Sequence, residues 1–227
     1  MKRDPATPPP GPSDPAGGSG RRPPPLPRDP DADVEHLRET CVEPRPAWHG
    51  GFLDVRRDLV ALPDGSQATR EYIVHPGAVM IVPLLGDDRV IIERQWRYPV
   101  GRAMLEFPAG KLEPGEPVID CAVRELIEET GYRAAEWARA GILHNAIGYS
   151  DEGIEVWFAR GLSGGERRLD AGEFLDVFEA GIGELEDAAG RGEITDAKTL
   201  IGLLWLANSR AGTWPLRWMA AAPPSSS

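Results

Sequence analysis

Four glutamates and an arginine crowd the middle of the chain, Glu116 in a loop after Gly110 and then Arg124, Glu125, Glu128 and Glu129 just ahead of Gly131. Carboxylates gathered at that density make either a solvated acidic helix face or a site for a hard divalent cation, and a Mg²⁺ or Mn²⁺ site in turn points to chemistry on phosphate. An oxygen-only donor set suits these ions and not Zn²⁺. Residues 117–130 read as a helix. At about 100° per residue, Val118, Ile119, Ala122, Val123, Leu126 and Ile127 make one apolar face, and Glu125, Glu128 and Glu129 make a neighbouring acidic arc. Their i,i+3 and i,i+4 spacings bring the acids together, with no lysine at those offsets and Arg124 reaching only the edge of the arc. Pro117 suits the first turn, Glu116 lies at the positive end of the helix dipole, and Gly131 can take a left-handed cap.

The pattern Gly-x5-Glu-x7-Arg-Glu-apolar-x-Glu-Glu-x-Gly runs unbroken from Gly110 to Gly131. Here the chain resembles the Nudix hydrolase family, whose signature box this is. The departure is Tyr132, where the box usually ends on an aliphatic residue. The resemblance implies that Glu125 and Glu129 are direct Mg²⁺ ligands and that Glu128 is a ligand or holds a metal-bound water. It also implies a ligand in the backbone carbonyl of Ala109, and a Glu116–Arg124 ion pair that pins the loop to the helix and orients the carboxylates.

The box implies a diphosphate joined to some other moiety, and sequence outside it narrows that moiety. Arg94-Gln95-Trp96-Arg97-Tyr98-Pro99, followed by Glu106-Phe107-Pro108-Ala109-Gly110, resembles the ADP-ribose pyrophosphatase branch, as does an early hairpin ending Thr69-Arg70-Glu71-Tyr72. That branch implies diphosphate contacts from Arg97 and from Arg70, the latter across a homodimer interface. Guanidinium forks suit paired phosphate oxygens. Glu106 and Glu152 are further candidate substrate-binding residues, and Tyr149, Trp96 or Tyr98 can stack on adenine. Around Glu152 the chain has Ser150-Asp151-Glu152 but Gly148-Tyr149 where the branch commonly has a proline, which leaves other nucleoside diphosphate sugars open. Glu173, on a loop hinged by Gly164, Gly165 and Gly172, is the candidate general base, with Glu152 behind it. A different nucleotide hydrolase and a non-catalytic nucleotide-sugar sensor are the competing readings. Sensors of this kind tend to lose box glutamates, and this chain keeps them all.

These residues need a scaffold. Alternating or continuous apolar runs place strands at 52–62, 69–74, 78–85, 89–96, 104–107, 137–143, 154–159 and 174–178. Turn chemistry lies at Pro63-Asp64-Gly65-Ser66 and Gly86-Asp87-Asp88. The apolar content of 78–85 and 89–96 suits a sheet covered on both faces. Helices follow at 180–189 and 196–209. Strands mixed with three helices imply an α/β sandwich, in agreement with the Nudix fold that the resemblance implies: a mixed β-sheet between α-helices with an N-terminal β-hairpin. The first 30 residues hold 11 of the 23 prolines, too little apolar surface to offset ordering. The expected organisation is a tail at 1–47, a catalytic domain at 48–210 and a second tail at 211–227. A net charge of −11 argues against nucleic acid or a membrane surface as partner, leaving a small nucleoside diphosphate substrate. No apolar run is long enough to span a membrane, the N-terminus lacks a secretory h-region, and Cys41 and Cys121 make no disulfide framework. A cytoplasmic setting follows.

Overall fold

In the computed structural model, residues 26, 29–169 and 172–221 are described. The disorder expected of the first 25 and last six residues lies outside them. The chain divides into two units, Met1–Arg38 and Glu39–Ser227. In the first, turns occupy part of residues 30–37.

The second unit opens with a small antiparallel sheet. Strand β3 (Asp54–Ala61) pairs along its length with β4 (Gln67–Val74), and along its other edge with β1 (Thr40–Glu43) and β2 (Pro46–His49) end to end. The expected hairpin is therefore present, with an extra row in front of it. The buried Asp58 of β3 ties that row down, accepting from the Arg45 N–H at 2.7 Å and from the Tyr72 hydroxyl at 2.8 Å. Among the described residues the first strand thus begins at Thr40, ahead of the Trp48 where the domain is expected to start. The far end also carries a strand beyond the expected domain. Strand β12 (Met219–Ala220) pairs with β9 (Glu136–Leu143), and the Arg160 guanidinium lies 4.1 Å from the Trp218 ring centre. Residues 211–221 are thus partly built into the domain.

The main mixed sheet contains β5 (Ala78–Leu85), β6 (Arg89–Arg97), β7 (Arg102–Glu106), β8 (Ala109–Lys111), β9, β10 (Ile154–Arg160), β11 (Leu175–Gly181) and β12. Its centre is the parallel pair β5–β10, in register from Ala78↔Ile154 to Pro83↔Ala159. Along β5, Met80 and Val82 face one core with Phe107, Leu203 and Leu206, while Val79 and Ile81 face another with Ala122 and Leu126. Each such side chain contributes about 1.5–3 kcal/mol on burial. Helix α1 (Val118–Glu125) covers the second face, and α2 (Ile182–Gly190) and α3 (Ala197–Arg210) cover the first. Gly202 lets α3 approach, since a Cβ there would stand 2.9 Å from Met80 and 3.0 Å from Phe107.

One topological feature prepares the site. Strands β5 and β6 pair only beside their turn, at Leu84↔Val90 and Leu85↔Arg89, and then separate. Into the opening go β7, against β6, and β8, against β5. Residues 106–111 therefore lie in the wedge of a split sheet.

Candidate active site

Helix α1 leaves the wedge after Pro117 and ends in a wide, π-helical turn (Leu126–Thr130), with Gly131 at φ 76° as its left-handed cap. A π turn within an α-helix often marks a functional site. Here it holds Glu129 inward, 2% exposed, with its Oε2 accepting from the Ala109 N–H at 3.0 Å. Gly110 allows α1 and β8 to meet: a Cβ there would fall 1.8 Å from Glu125 Oε1. The box glycine is required by space and not by an unusual backbone angle.

Arg124 is the hub of the acidic group. It donates to both oxygens of Glu116 at 2.9 and 3.0 Å, to Glu125 at 2.8 Å, to Glu128 at 3.0 Å and to the Lys111 carbonyl at 3.1 Å. It reaches well into the arc that the helical projection places beyond it, because its long arm crosses the face. This pairing holds the Glu116 carboxyl down at about 2. Burial instead pushes Glu125 up to about 6, despite Arg124. Burial also raises Glu129, and the nearby charges of Glu93, Glu125 and Glu173 add to the rise.

Above this floor opens a cleft of about 520 Å³. Strand β6 lends it Gln95 and Arg97, the first turn of α3 lends Lys198, and the loop before β11 lends Glu173. The segment before β5 contributes His75, the β9–β10 connection Asn145 and Glu152, and the wedge Ala109, Gly110 and Lys111. Arg97 grips Glu106 with two hydrogen bonds of 2.7 Å, and Lys198 pairs with the same carboxylate and with Asp196 at 3.0 Å. Burial pushes Glu106 up, but the two cations outweigh it and hold the carboxyl below its usual range. The Gly77 N–H donates to His75 Nδ1 at 3.1 Å, so in the neutral ring Nε2 carries the proton and faces Glu152 at 3.5 Å. Glu173 accepts from Gln95 at 3.3 Å.

The structure therefore brings Glu125, Glu128, Glu129, Ala109, Arg97, Glu152 and Glu173 to one place. Glu106 is 2% exposed and turned to Arg97 and Lys198 instead of the cleft. Arg70 pairs with Glu39 on the small sheet and does not line the cleft. Tyr149, Trp96 and Tyr98 are exposed and do not line it either; besides His75, the aromatic ring that does is Phe52, with Lys111 Nζ 4.3 Å from its centre. Sequence reasoning missed Phe52, His75, Lys198 and Glu93. The last had a signal: it is a charge at an inward position of an otherwise apolar run.

The model of the NUDIX domain matches residues 74–200, more than half the chain. This protein belongs to the Nudix family. The Nudix chain is 34% identical over 175 residues to the ADP-ribose pyrophosphatase of Bacillus subtilis (strain 168), covering 76% of this chain and 95% of that one. It is 37% identical over 174 residues to the ADP-ribose pyrophosphatase of Mycobacterium tuberculosis (strain ATCC 25618 / H37Rv), covering 75% and 84%. A third relative, the methanol dehydrogenase activator of Bacillus methanolicus, is 34% identical over 172 residues, covering 75% and 93%. A solved structure described as an ADP compounds hydrolase superposes with a TM-score of 0.70 at 24% identity, covering 78% of this chain and 96% of that chain; this is a likeness of fold.

Among the described residues no three His, Cys, Asp or Glu side chains are gathered tightly enough to hold a metal ion as they stand. Arg124 draws Glu125 and Glu128 to itself instead. The donor chemistry of the Nudix site nevertheless fits a hard divalent cation. Its donors are all oxygens, and it includes a fully buried carboxylate, Glu93, neither of whose oxygens has a hydrogen-bond partner. Surplus buried negative charge is compensated by a cation or by protonation.

Proposed function

We propose that the chain hydrolyses ADP-ribose to AMP and ribose 5-phosphate with Mg²⁺ or Mn²⁺. The observation that carries this reading is the cleft itself, which faces an arginine clamp across a floor of box carboxylates. Two relatives that match most of the chain are named for this activity.

Glu125, Glu128, Glu129 and the Ala109 carbonyl would hold the cation. It would supply neutralisation of the diphosphate and a more acidic attacking water. Arg97, held flat by Glu106, presents its guanidinium edge to the non-bridging phosphate oxygens. Water attacks one phosphorus, Glu173 takes its proton, and the bond from that phosphorus to the bridging oxygen breaks, releasing the other half as a phosphate monoester. Gln95 steadies Glu173 for that transfer. Glu152, backed by His75, offers a carboxylate to substrate hydroxyls.

We place the enzyme in the cytoplasm, in keeping with two free cysteines. No helix among the described residues is long and apolar enough to cross a membrane. A homodimer would give Arg70 its one route to a substrate, from a second copy.

The test uses a coupled phosphatase. Both products are phosphate monoesters and release phosphate, whereas the intact diphosphate does not. With Mg²⁺, kcat/KM for ADP-ribose should exceed that for ADP-glucose and GDP-mannose at least tenfold. Equal rates on all three would defeat the assignment of substrate, and no release from any would defeat the hydrolase reading.

A further inference from the structure

Glu93 has no role in the reaction as set out above, yet it is the most unusual side chain in the domain. It lies on β6 opposite Glu106 of β7, and its side chain is fully enclosed. Neither of its oxygens meets a donor. The two cations whose charge reaches it, Arg97 and Lys198, are committed to Glu106 and Asp196. Among neighbouring charges, that of Glu93 bears most strongly on Glu129. Glu129, on the π turn that follows α1, is itself 2% exposed and, among the described residues, is held by the Ala109 N–H alone. Strand pairing sets Glu93 beside Glu106, three residues ahead of the Ala109 N–H that binds Glu129, and the charge of Glu93 is felt at Glu129.

Burying a charge without a partner costs several kcal/mol, and a leucine or isoleucine would continue the run Val90–Ile92 without that cost. A side chain that breaks the local rule with no gain in packing belongs with function. Protonation, which burial favours, would remove the charge but leave both oxygens without a partner. A small, hard cation meets both needs at once, and Mg²⁺ is commonly held by one or two carboxylates with water completing its shell.

The geometry points to Glu93 as a further cation-binding residue, holding a divalent ion jointly with Glu129 on the inner side of the box. The inference rests on the metal-dependent reading above. Free Mn²⁺ measured by electron paramagnetic resonance during titration of the full chain tests it without any turnover. Glu93→Gln and Glu93→Leu should both keep the wild-type circular dichroism. Leucine extends the buried apolar run Val90–Ile92 and leaves no polar atom without a partner. In each, affinity at the tightest Mn²⁺ site should fall at least tenfold. A smaller loss in either folded variant, with the wild type still binding, overturns the role of Glu93 and leaves the hydrolase reading intact. A wild-type chain that takes up no Mn²⁺ overturns both.

Discussion

Glu173 and Lys198 reach the same cleft by opposite means, one on a loop and one on the first turn of a helix. Among the described residues the Glu173 carboxylate accepts one hydrogen bond, from Gln95, so its replacement disturbs little else. As the base, Glu173→Gln should lower kcat by about 10²–10⁴-fold with KM nearly unchanged. A loss below about tenfold in steady-state rates would remove it from that role. Lys198 is different, since it shares Glu106 with Arg97 and lines the cleft as well. We propose that its ammonium meets a phosphate oxygen beside the guanidinium. A hydrogen bond to a charged group contributes about 1.5–3 kcal/mol, so Lys198→Met should raise KM for ADP-ribose by about 10- to 100-fold, with kcat falling far less. Lys198→Arg should recover part of the loss; equal KM values in all three proteins would show Lys198 to be only a strut between α3 and β7. The box acids and Arg97 were legible because their spacing is unusual in sequence. Lys198 was not. Its helix declares itself by Leu203 and Leu206, and nothing local says that Asp196, which caps the helix by accepting from the Thr199 N–H at 2.9 Å, also holds a lysine toward a distant strand.

Among the elements, α1 is the one whose attachment decides whether the carboxylates stand in register with β8. Arg124 joins the helix to the loop through Glu116, and the Lys111 carbonyl receives the same guanidinium. The sign of the pH effect follows from Glu116. Its folded pKa is about 2, below the 4.5 of an ordinary glutamate, so the unfolded chain takes up the proton first. The stability it contributes is complete above about pH 4.5 and is lost as pH falls toward 2. Glu116→Gln should therefore destabilise the protein by about 1–3 kcal/mol at pH 7, and the gap to wild type should close across that acid window. Urea unfolding at pH 7, 4 and 3 reads this directly; a gap that stays constant would mean the ion pair does not anchor the helix. Helix α1 was legible from its apolar stripe and its Pro117 and Gly131 borders, and β5, β6 and β10 from their continuous apolar runs. The π turn was not, because the residues from Leu126 to Thr130 satisfy the α-helical pattern equally well. Strand β8 escaped notice too. Only Ala109–Lys111 form it, and their pairing is set by the parting of β5 from β6.

At the scale of the whole molecule, the sequence signal is weakest at the edges of the domain. Strands β1 and β2 are four exposed residues each, so their sequences carry no buried alternation to read, and β12 is shorter still. What holds β1 and β2 is β3, through a buried aspartate whose partners are a backbone N–H and a tyrosine far along the chain. Electrostatics also acts at this scale, and here two effects of added salt must be separated. A net charge of −11 makes the folded chain repel itself, and any electrolyte relieves that repulsion by screening. The acidic floor asks for more than screening, since Glu129 is almost wholly enclosed and mobile counter-ions do not reach it. A cation bound there stabilises the native state by about 2.7 kcal/mol at a hundredfold excess over its Kd. For a chain of this size each kcal/mol moves the melting temperature by about 2–4 °C, so the rise should be about 5–10 °C. The comparison is calorimetric: the chelated protein in KCl against the protein in Mg²⁺ at the same ionic strength. Screening predicts equal melting temperatures in the two, and binding predicts a surplus with Mg²⁺ that saturates with concentration. Glu129→Gln should shrink that surplus while leaving the response to KCl unchanged, because the variant removes a ligand and hardly alters the total charge. If KCl alone reproduces the rise, the clustered acids hold no ion, and the chemistry assigned to the cleft loses its foundation.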